Sequence, residues 1–423
     1  MPQNPLLVLG MMSGTSADGI DAALVKISGA PPNPKIKLLH HTHQSFPPAV
    51  RKEILRAAEQ NPLTPAEFSQ LHARLGHVYG QAALSACKKF RISPEKIDLI
   101  GNHGQTIFHQ PPSRSFSPLA TRHRALPAIP STLQLGDGSI IANCTGIATV
   151  SDFRPADIAV GGQGAPLVPF ADYLLYRHAK LGRVSLNLGG IANITVIPAA
   201  AKPQDVLAFD TGPANILLDA LVQHFTHGRQ RFDKNAAFAR RGHINNALIY
   251  RLMKDPYLEL RPPKSTGREY FGAHYVKDLL NFARKRDIKA ADLLYTVTYF
   301  TAESVVDALC RFVLPRHKIS QLIVSGGGVR NPLLMTQLKA LLQSRTNSSF
   351  PSTRHWPRAT RHFSSSITVV TSSHFHIPEQ AKEALAFALM AYETFHHRPS
   401  NLPSATGARR SAILGKISYV ELP

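Results

Sequence analysis

Three glycine-rich stretches and two carboxylates are the places where this chain could do chemistry. In VLGMMSGTSADGIDAALV (residues 8–25) an apolar run gives way to Gly14, Thr15, Ser16, Ala17, Asp18, Gly19, Ile20 and Asp21, then returns to strand formers. Glycines let backbone N–H groups converge on an oxygen-rich anion such as a phosphate, and Ser13, Thr15 and Ser16 add hydroxyl donors. Asp18 and Asp21 are suited to orienting a magnesium ion or a water. One such turn reads equally well as a tight hairpin that needs glycine for geometry alone, and no GxxxxGK[ST] motif occurs. The pattern returns, however, in RVSLNLGGIANITVI (183–197) with Gly189 and Gly190, and in LIVSGGGVRN (322–331) with Gly326, Gly327 and Gly328. The repetition favours a nucleotide clamped between two related halves, each contributing one hairpin to a shared cleft.

Asp210 lies in FDTGPAN, after a short apolar strand and before a helical pattern, the position at which α/β enzymes present reacting groups. An Asx turn or helix cap accounts for it equally on this stretch alone. Asp-Thr-Gly is also the aspartic-protease signature, but that chemistry needs two such carboxylates sharing a proton and the chain has a single copy. Glu383, in EQAKEALAFALMAY, is either functional or the polar edge of an apolar helix. Further polar groups sit among small residues: His103 and Gln105 in NHGQT, Gln134 in QLGD, Arg154 in DFRPAD and Gln163 in GGQGAP. Amides, imidazole and guanidinium in such settings suit a sugar, whose hydroxyls demand short directional hydrogen bonds. His103 reads equally as a satisfied core histidine. None of these clusters has metal-ligand spacing, so no protein metal site is assigned.

The elements that must position these groups alternate. Strands are expected at Leu6–Leu9, Ile20–Ile27 and Val206–Phe209, and helices at Pro48–Glu59, Pro65–Phe90, Asn215–Phe225, Thr296–Leu314 and Pro378–Phe395, which makes an α/β protein. At 423 residues the chain exceeds what one core usually supports. We expect a first lobe over 1–150, with the helix from about 378 packing back near the cleft, and a second lobe over 151–423 that carries a basic insertion at 344–373. The formal charge of +21 suggests a polyanion, yet part of it falls in two loop-like segments, 111–131 and 344–373, that contain Arg and no acid; no zinc-finger spacing or long basic helix accompanies it. The cysteines Cys87, Cys144 and Cys310 form no CxxC pair, and no apolar span reaches the roughly 18 residues of a membrane helix. A cytoplasmic location is expected.

Taken together, GMMSGTSADGIDAALV, NHGQTIFH, QLGDG, SDFRPADIAVGGQGAPLVP, LNLGGIANIT, FDTGPANILLD, PPKSTGREYF, SGGGVRN, EALAFALMAY and NLPSATGA resemble the anhydro-N-acetylmuramic acid kinase family, from residue 8 to about 408. The resemblance implies a two-domain actin-like (ribonuclease H-like) ATPase fold with a nucleotide cleft between lobes, ATP and Mg2+ as cofactors, and a small anhydro-sugar as partner. It implies neither nucleic acid nor membrane, and is compatible with a homodimer. It also implies that residues 14–21 form the first phosphate loop, Gly189 and Gly190 the second, and Gly326–Gly328 the adenosine-side turn. Asp210 then corresponds to the base that deprotonates a water attacking the anomeric carbon, Glu383 to a carboxylate near the sugar, and the cell-wall sugar product to N-acetylmuramic acid 6-phosphate. Two departures stand out: Ala214 replaces the usual Gly of DxGPGN, and the connection near Ser113–Pro130 is longer than the family's. Levoglucosan-type kinases share these motifs, and a non-catalytic ATP-gated protein of the same fold or a basic polyanion binder are the other readings.

Overall fold

The computed structural model describes residues 4–14, 16–58, 63–110, 129–347 and 366–420. Thr15 and most of both basic segments (111–128 and 348–365) lie outside them. The chain divides into two units, Met1–Leu175 with Ala381–Pro423, and Tyr176–Gln380. The expected boundary at 150/151 is therefore displaced, and everything after 380 belongs to the first unit. The reason is a buried carboxylate: Asp157, fully inaccessible, accepts hydrogen bonds from the Gly164 amide (2.8 Å), Asn401 Nδ2 (2.6 Å) and Thr406 Oγ1 (2.8 Å). One side chain thus ties the GGQGAP and NLPSAT stretches to the same core.

The first unit is built on a six-stranded sheet. Its strands are β1 (Leu6–Met12), β2 (Gly19–Ser28), β3 (Lys35–Ser45), β4 (Leu99–Asn102), β7 (Thr149–Ser151) and β13 (Lys416–Ser418), in the order β13-β7-β4-β1-β2-β3. A separate ribbon pairs β5 (Gln105–Gln110) with β6 (Ser131–Leu135). On one face the helix Pro65–Phe90 buries Leu71, Leu75, Tyr79 and Ala83; its start is fixed by the Thr64–Glu67 capping box and its end by left-handed Arg91. The helix Lys382–Phe395 comes close enough to β1 and β4 that a Cβ on Gly10 would sit 1.9 Å from the Ala384 carbonyl oxygen, and one on Gly101 2.4 Å from that of Phe387. Gly10 is therefore a packing residue, not part of the turn chemistry. At the head of this helix Lys382 and Asp172, 2% and 3% exposed, form an ion pair of 3.1 Å.

The second unit has a five-stranded sheet of β8 (Arg183–Leu188), β9 (Ile191–Ile197), β10 (Leu207–Pro213), β11 (Gln321–Ser325) and β12 (Thr368–Thr371), in the order β10-β9-β8-β11-β12. The first three strands are antiparallel and the last two run parallel to the first. In the other unit β1 to β4 and β7 repeat this order and these directions, with β13 added at the edge. Two copies of one topology are what an actin-like, ribonuclease H-like chain requires, and both glycine hairpins occupy the same place, the turn between first and second strands.

Helices at Pro65–Phe90 and Asn215–Phe225 match the expected limits; the long helix of the second unit begins earlier, at Ala290, and closes in a π-turn at Leu309–Val313. The segment 344–373 is not wholly an insertion, because the helix Pro332–Asn347 and β12 occupy its two ends. No helix among the described residues is long and apolar enough to cross a membrane.

Candidate active site

In the first unit the turn after β1 is shaped by its own backbone and by two buried neighbours. The Ala17 amide donates to the Gly14 carbonyl (3.1 Å), Gln105 Nε2 donates to the same oxygen (3.2 Å), and the Ser13 hydroxyl is held between Tyr79 OH and the Gly104 carbonyl. The glycines of the candidate phosphate turns divide by what a Cβ would meet. Gly19 is crowded by the Gln44 carbonyl at 2.4 Å, Gly326 by Asn187 Oδ1 at 2.4 Å and Gly328 by Leu188 at 2.6 Å, so packing explains them. Gly14, Gly189, Gly190 and Gly327 have nothing closer than 3.6 Å and no left-handed φ. Neither packing nor backbone conformation accounts for glycine at these four positions.

Within 14–21, Asp18 is exposed and accepts from the Ser16 hydroxyl (2.9 Å). Asp21 instead faces His43 Nδ1 (3.1 Å) and His41 Nε2 (3.4 Å), and Ile20 is a core residue at 2% exposure. Ile20 can therefore offer a ligand only its backbone.

The groups assigned to a sugar are brought together in part. His103 is buried, with Nδ1–H donating to the Gly104 carbonyl (2.7 Å) and Nε2 accepting from Arg154 Nε (3.0 Å). Both nitrogens are satisfied, and burial together with Arg154 holds its pKa well below the usual histidine range. His103 is thus a neutral core histidine that orients Arg154. Arg154 NH1 also donates to the Gly164 carbonyl (2.7 Å), burial brings its pKa down to about 10, and the negative charge of Glu383 opposes that fall. Arg154 and Glu383, both half-buried, so form one electrostatic unit. Gln134 donates to Thr132 Oγ1 (2.8 Å), and Gln163 is anchored through its backbone amide to the Thr406 carbonyl (2.9 Å). The Oε1 atoms of Gln105 and Gln134 and both side-chain atoms of Asn102 have no hydrogen-bond partner among the described residues, so water or a ligand hydroxyl must supply one.

In the second unit the loop 257–269 wraps Asp210. The Thr266 amide donates to Asp210 Oδ2 (2.9 Å), the Asp210 amide to the Lys264 carbonyl (3.0 Å), and Tyr257 OH to the Asp210 carbonyl (2.8 Å). Lys264 is buried, donates to the carbonyls of Tyr257 (3.1 Å) and Leu258 (3.2 Å), and lies over the Tyr257 ring at 4.6 Å. Desolvation raises the Asp210 carboxyl to about 7; the Thr266 hydrogen bond pulls it down, the Glu269 charge pushes it up and Lys264 pulls it down. A half-buried carboxyl poised there is suited to taking a proton at neutral pH. Ala214 is fully buried, and its amide joins those of Asn215 and Ile216 in donating to the carbonyls of the Gly189–Gly190 turn. The strand thus ends and the helix begins on a hydrogen-bonded bridge.

Thr266, Tyr257 and Lys264 are not singled out by the residue patterns of the sequence. They stand 47–56 positions from Asp210, and only the stretch PPKSTGREYF marks their region.

The anhydro-N-acetylmuramic acid kinase family model matches residues 6–354 and 358–420. The chain belongs to that family. Among its relatives, the anhydro-N-acetylmuramic acid kinase of Caldanaerobacter subterraneus subsp. tengcongensis is 40% identical over 97% of this chain and 96% of its own. That of a Bacillus cereus strain is 38% identical over 98% and 99%. The chain is accordingly a sugar kinase, and the protease, passive-binder and polyanion-binder readings are set aside.

Proposed function

We propose that the protein opens the 1,6-anhydro bridge of 1,6-anhydro-N-acetylmuramic acid while phosphorylating O6, with ATP as donor, giving N-acetylmuramic acid 6-phosphate for cell-wall recycling. The observation that carries this reading is Asp210, a carboxyl held by a backbone amide and raised to about 7. In this mechanism Asp210 takes a proton from water as the water oxygen bonds to C1. The C1–O6 bond breaks, and the electron pair left on O6 attacks the γ-phosphorus, releasing ADP. No separate base is needed on O6, and the proton on Asp210 returns to solvent. This is the carboxylate role of inverting glycoside hydrolysis joined to phosphoryl transfer.

The open glycines Gly14, Gly189, Gly190 and Gly327 fit phosphate or ribose approach, while Gly326 and Gly328 shape the turn that carries Gly327. Mg2+ would neutralise the phosphates, with Asp18 as the candidate to hold it through water, since Asp21 is engaged by histidines. Arg154, Glu383, Gln105, Gln134 and Gln163 would present donors and acceptors to the sugar.

Sugar-dependent ADP release tests the reading: turnover on anhydro-N-acetylmuramic acid exceeding that on levoglucosan supports it, and the reverse preference overturns the substrate. Gly14→Val should raise KM for ATP about tenfold or more, corresponding to about 1.4 kcal/mol, with KM for sugar little changed. Equal losses for both ligands would signal misfolding instead. Arg154→Ala removes a charged donor and should raise KM for the sugar by roughly 10- to 150-fold, or about 1.5–3 kcal/mol. Unaltered sugar affinity would remove Arg154 from the sugar site.

A further inference from the structure

Gly267 and Glu269 are pressed together. A Cβ on Gly267 would lie 2.4 Å from one Glu269 carboxylate oxygen and 3.0 Å from the other, so an exposed acid is folded back over its own loop against Gly267. The φ of Gly267 is −162°, ordinary extended backbone, and the Glu269 carboxylate is the nearest group to a Cβ placed there. The preceding residue, Thr266, donates its amide to Asp210 Oδ2 at 2.9 Å. Two carboxylates therefore converge on one two-residue segment. No basic side chain among the described residues forms an ion pair with Glu269, which stands in the first turn of the short helix Arg268–Phe271.

We propose that Glu269 is a positioning residue of electrostatic kind: its charge, held over Gly267, keeps Asp210 basic enough to accept a proton from water near neutral pH. This rests on Asp210 being the base. A like charge nearby disfavours ionisation and so strengthens a carboxylate as a proton acceptor. The other groups that face Asp210 act differently. Lys264, buried beside it, opposes the effect; Tyr257 stays neutral, its ionisation suppressed by burial and by Asp210 itself; Asp307 and Arg311 bear on Lys264. After burial, Glu269 is the strongest influence raising Asp210, and it is exposed and can be altered without opening a cavity.

The test is the pH profile of kcat/KM for the full-length protein, its Glu269→Gln and Gly267→Ala variants, and Asp210→Asn. Removing or displacing the charge should move the acid limb to lower pH by about half a unit to one unit, with folding intact. The wild-type limb should also fall as salt rises, while that of Glu269→Gln moves less, because an exposed charge is screened. An acid limb unmoved in both variants, or moved upward, overturns the proposal. If Asp210→Asn keeps its activity the base assignment itself fails; if Asp210→Asn is inactive while Glu269→Gln titrates like wild type, only the role of Glu269 does.

Discussion

Asp210→Asn should lose about 10²–10⁴-fold in sugar-dependent ADP release, the usual worth of a general base, with ring opening and phosphoryl transfer stopping together. An amide keeps the size of the carboxyl and can still accept from the Thr266 amide, but it cannot take a proton from water. Stability should not fall. The folded pKa of Asp210 lies above the unfolded value, near 7 against 3.8, so the folded state binds the extra proton. Its contribution to stability is then greatest below the unfolded pKa and declines as pH rises from about 4 to about 7. An uncharged amide escapes that decline, so at pH 8 the variant should melt no lower than wild type. Activity has the opposite dependence in wild type, rising with pH through about 7 as the base form fills. A stable variant that retains more than about a tenth of the wild-type rate would remove Asp210 from the base role.

The largest stability effect is expected at the head of the helix Lys382–Phe395. Lys382 and Asp172 are 2% and 3% exposed and 3.1 Å apart, so deleting either partner takes this counter-charge away from a buried ion. Breaking such a pair costs about 3–5 kcal/mol, whereas replacing both partners with apolar residues of similar volume is often neutral. For a unit of this size that corresponds to a fall in Tm of roughly 6–20 °C. Thermal melting of Asp172→Ala and of the double variant Asp172→Leu/Lys382→Met checks this: the single change should be severe and the double change should recover most of the loss. A single variant melting with wild type would mean that the ammonium finds water or another acceptor. Because Glu383 follows Lys382 directly, the double variant also reports whether the first helical turn keeps its place, through KM for the sugar.

How far residue patterns reach is seen by comparing particular positions. The glycine hairpins, the helices at 65–90 and 215–225 and the placement of Asp210 between strand and helix were legible, because strand period, helix period and turn residues are local properties. The duplicated architecture was legible for the same reason, each hairpin opening one sheet. Which glycines the packing requires was not: Gly19 and Gly14 look alike in sequence, and only the Gln44 carbonyl against one and open space beside the other separate them. His103 resembled a sugar ligand until both its nitrogens proved to be taken. The unit boundary was likewise hidden, since Asp157 joins Gly164 to Asn401 and Thr406 across more than half the chain. The chemistry of Asp210 shows the same division. Its type and position are in the sequence, but its basicity comes from burial, the Thr266 amide, Glu269 and Lys264, which reach it only when the loop 257–269 folds over β10. Local order along a chain decides elements and turns, whereas desolvation and Coulomb interaction depend on distance in space, which the tertiary fold alone sets.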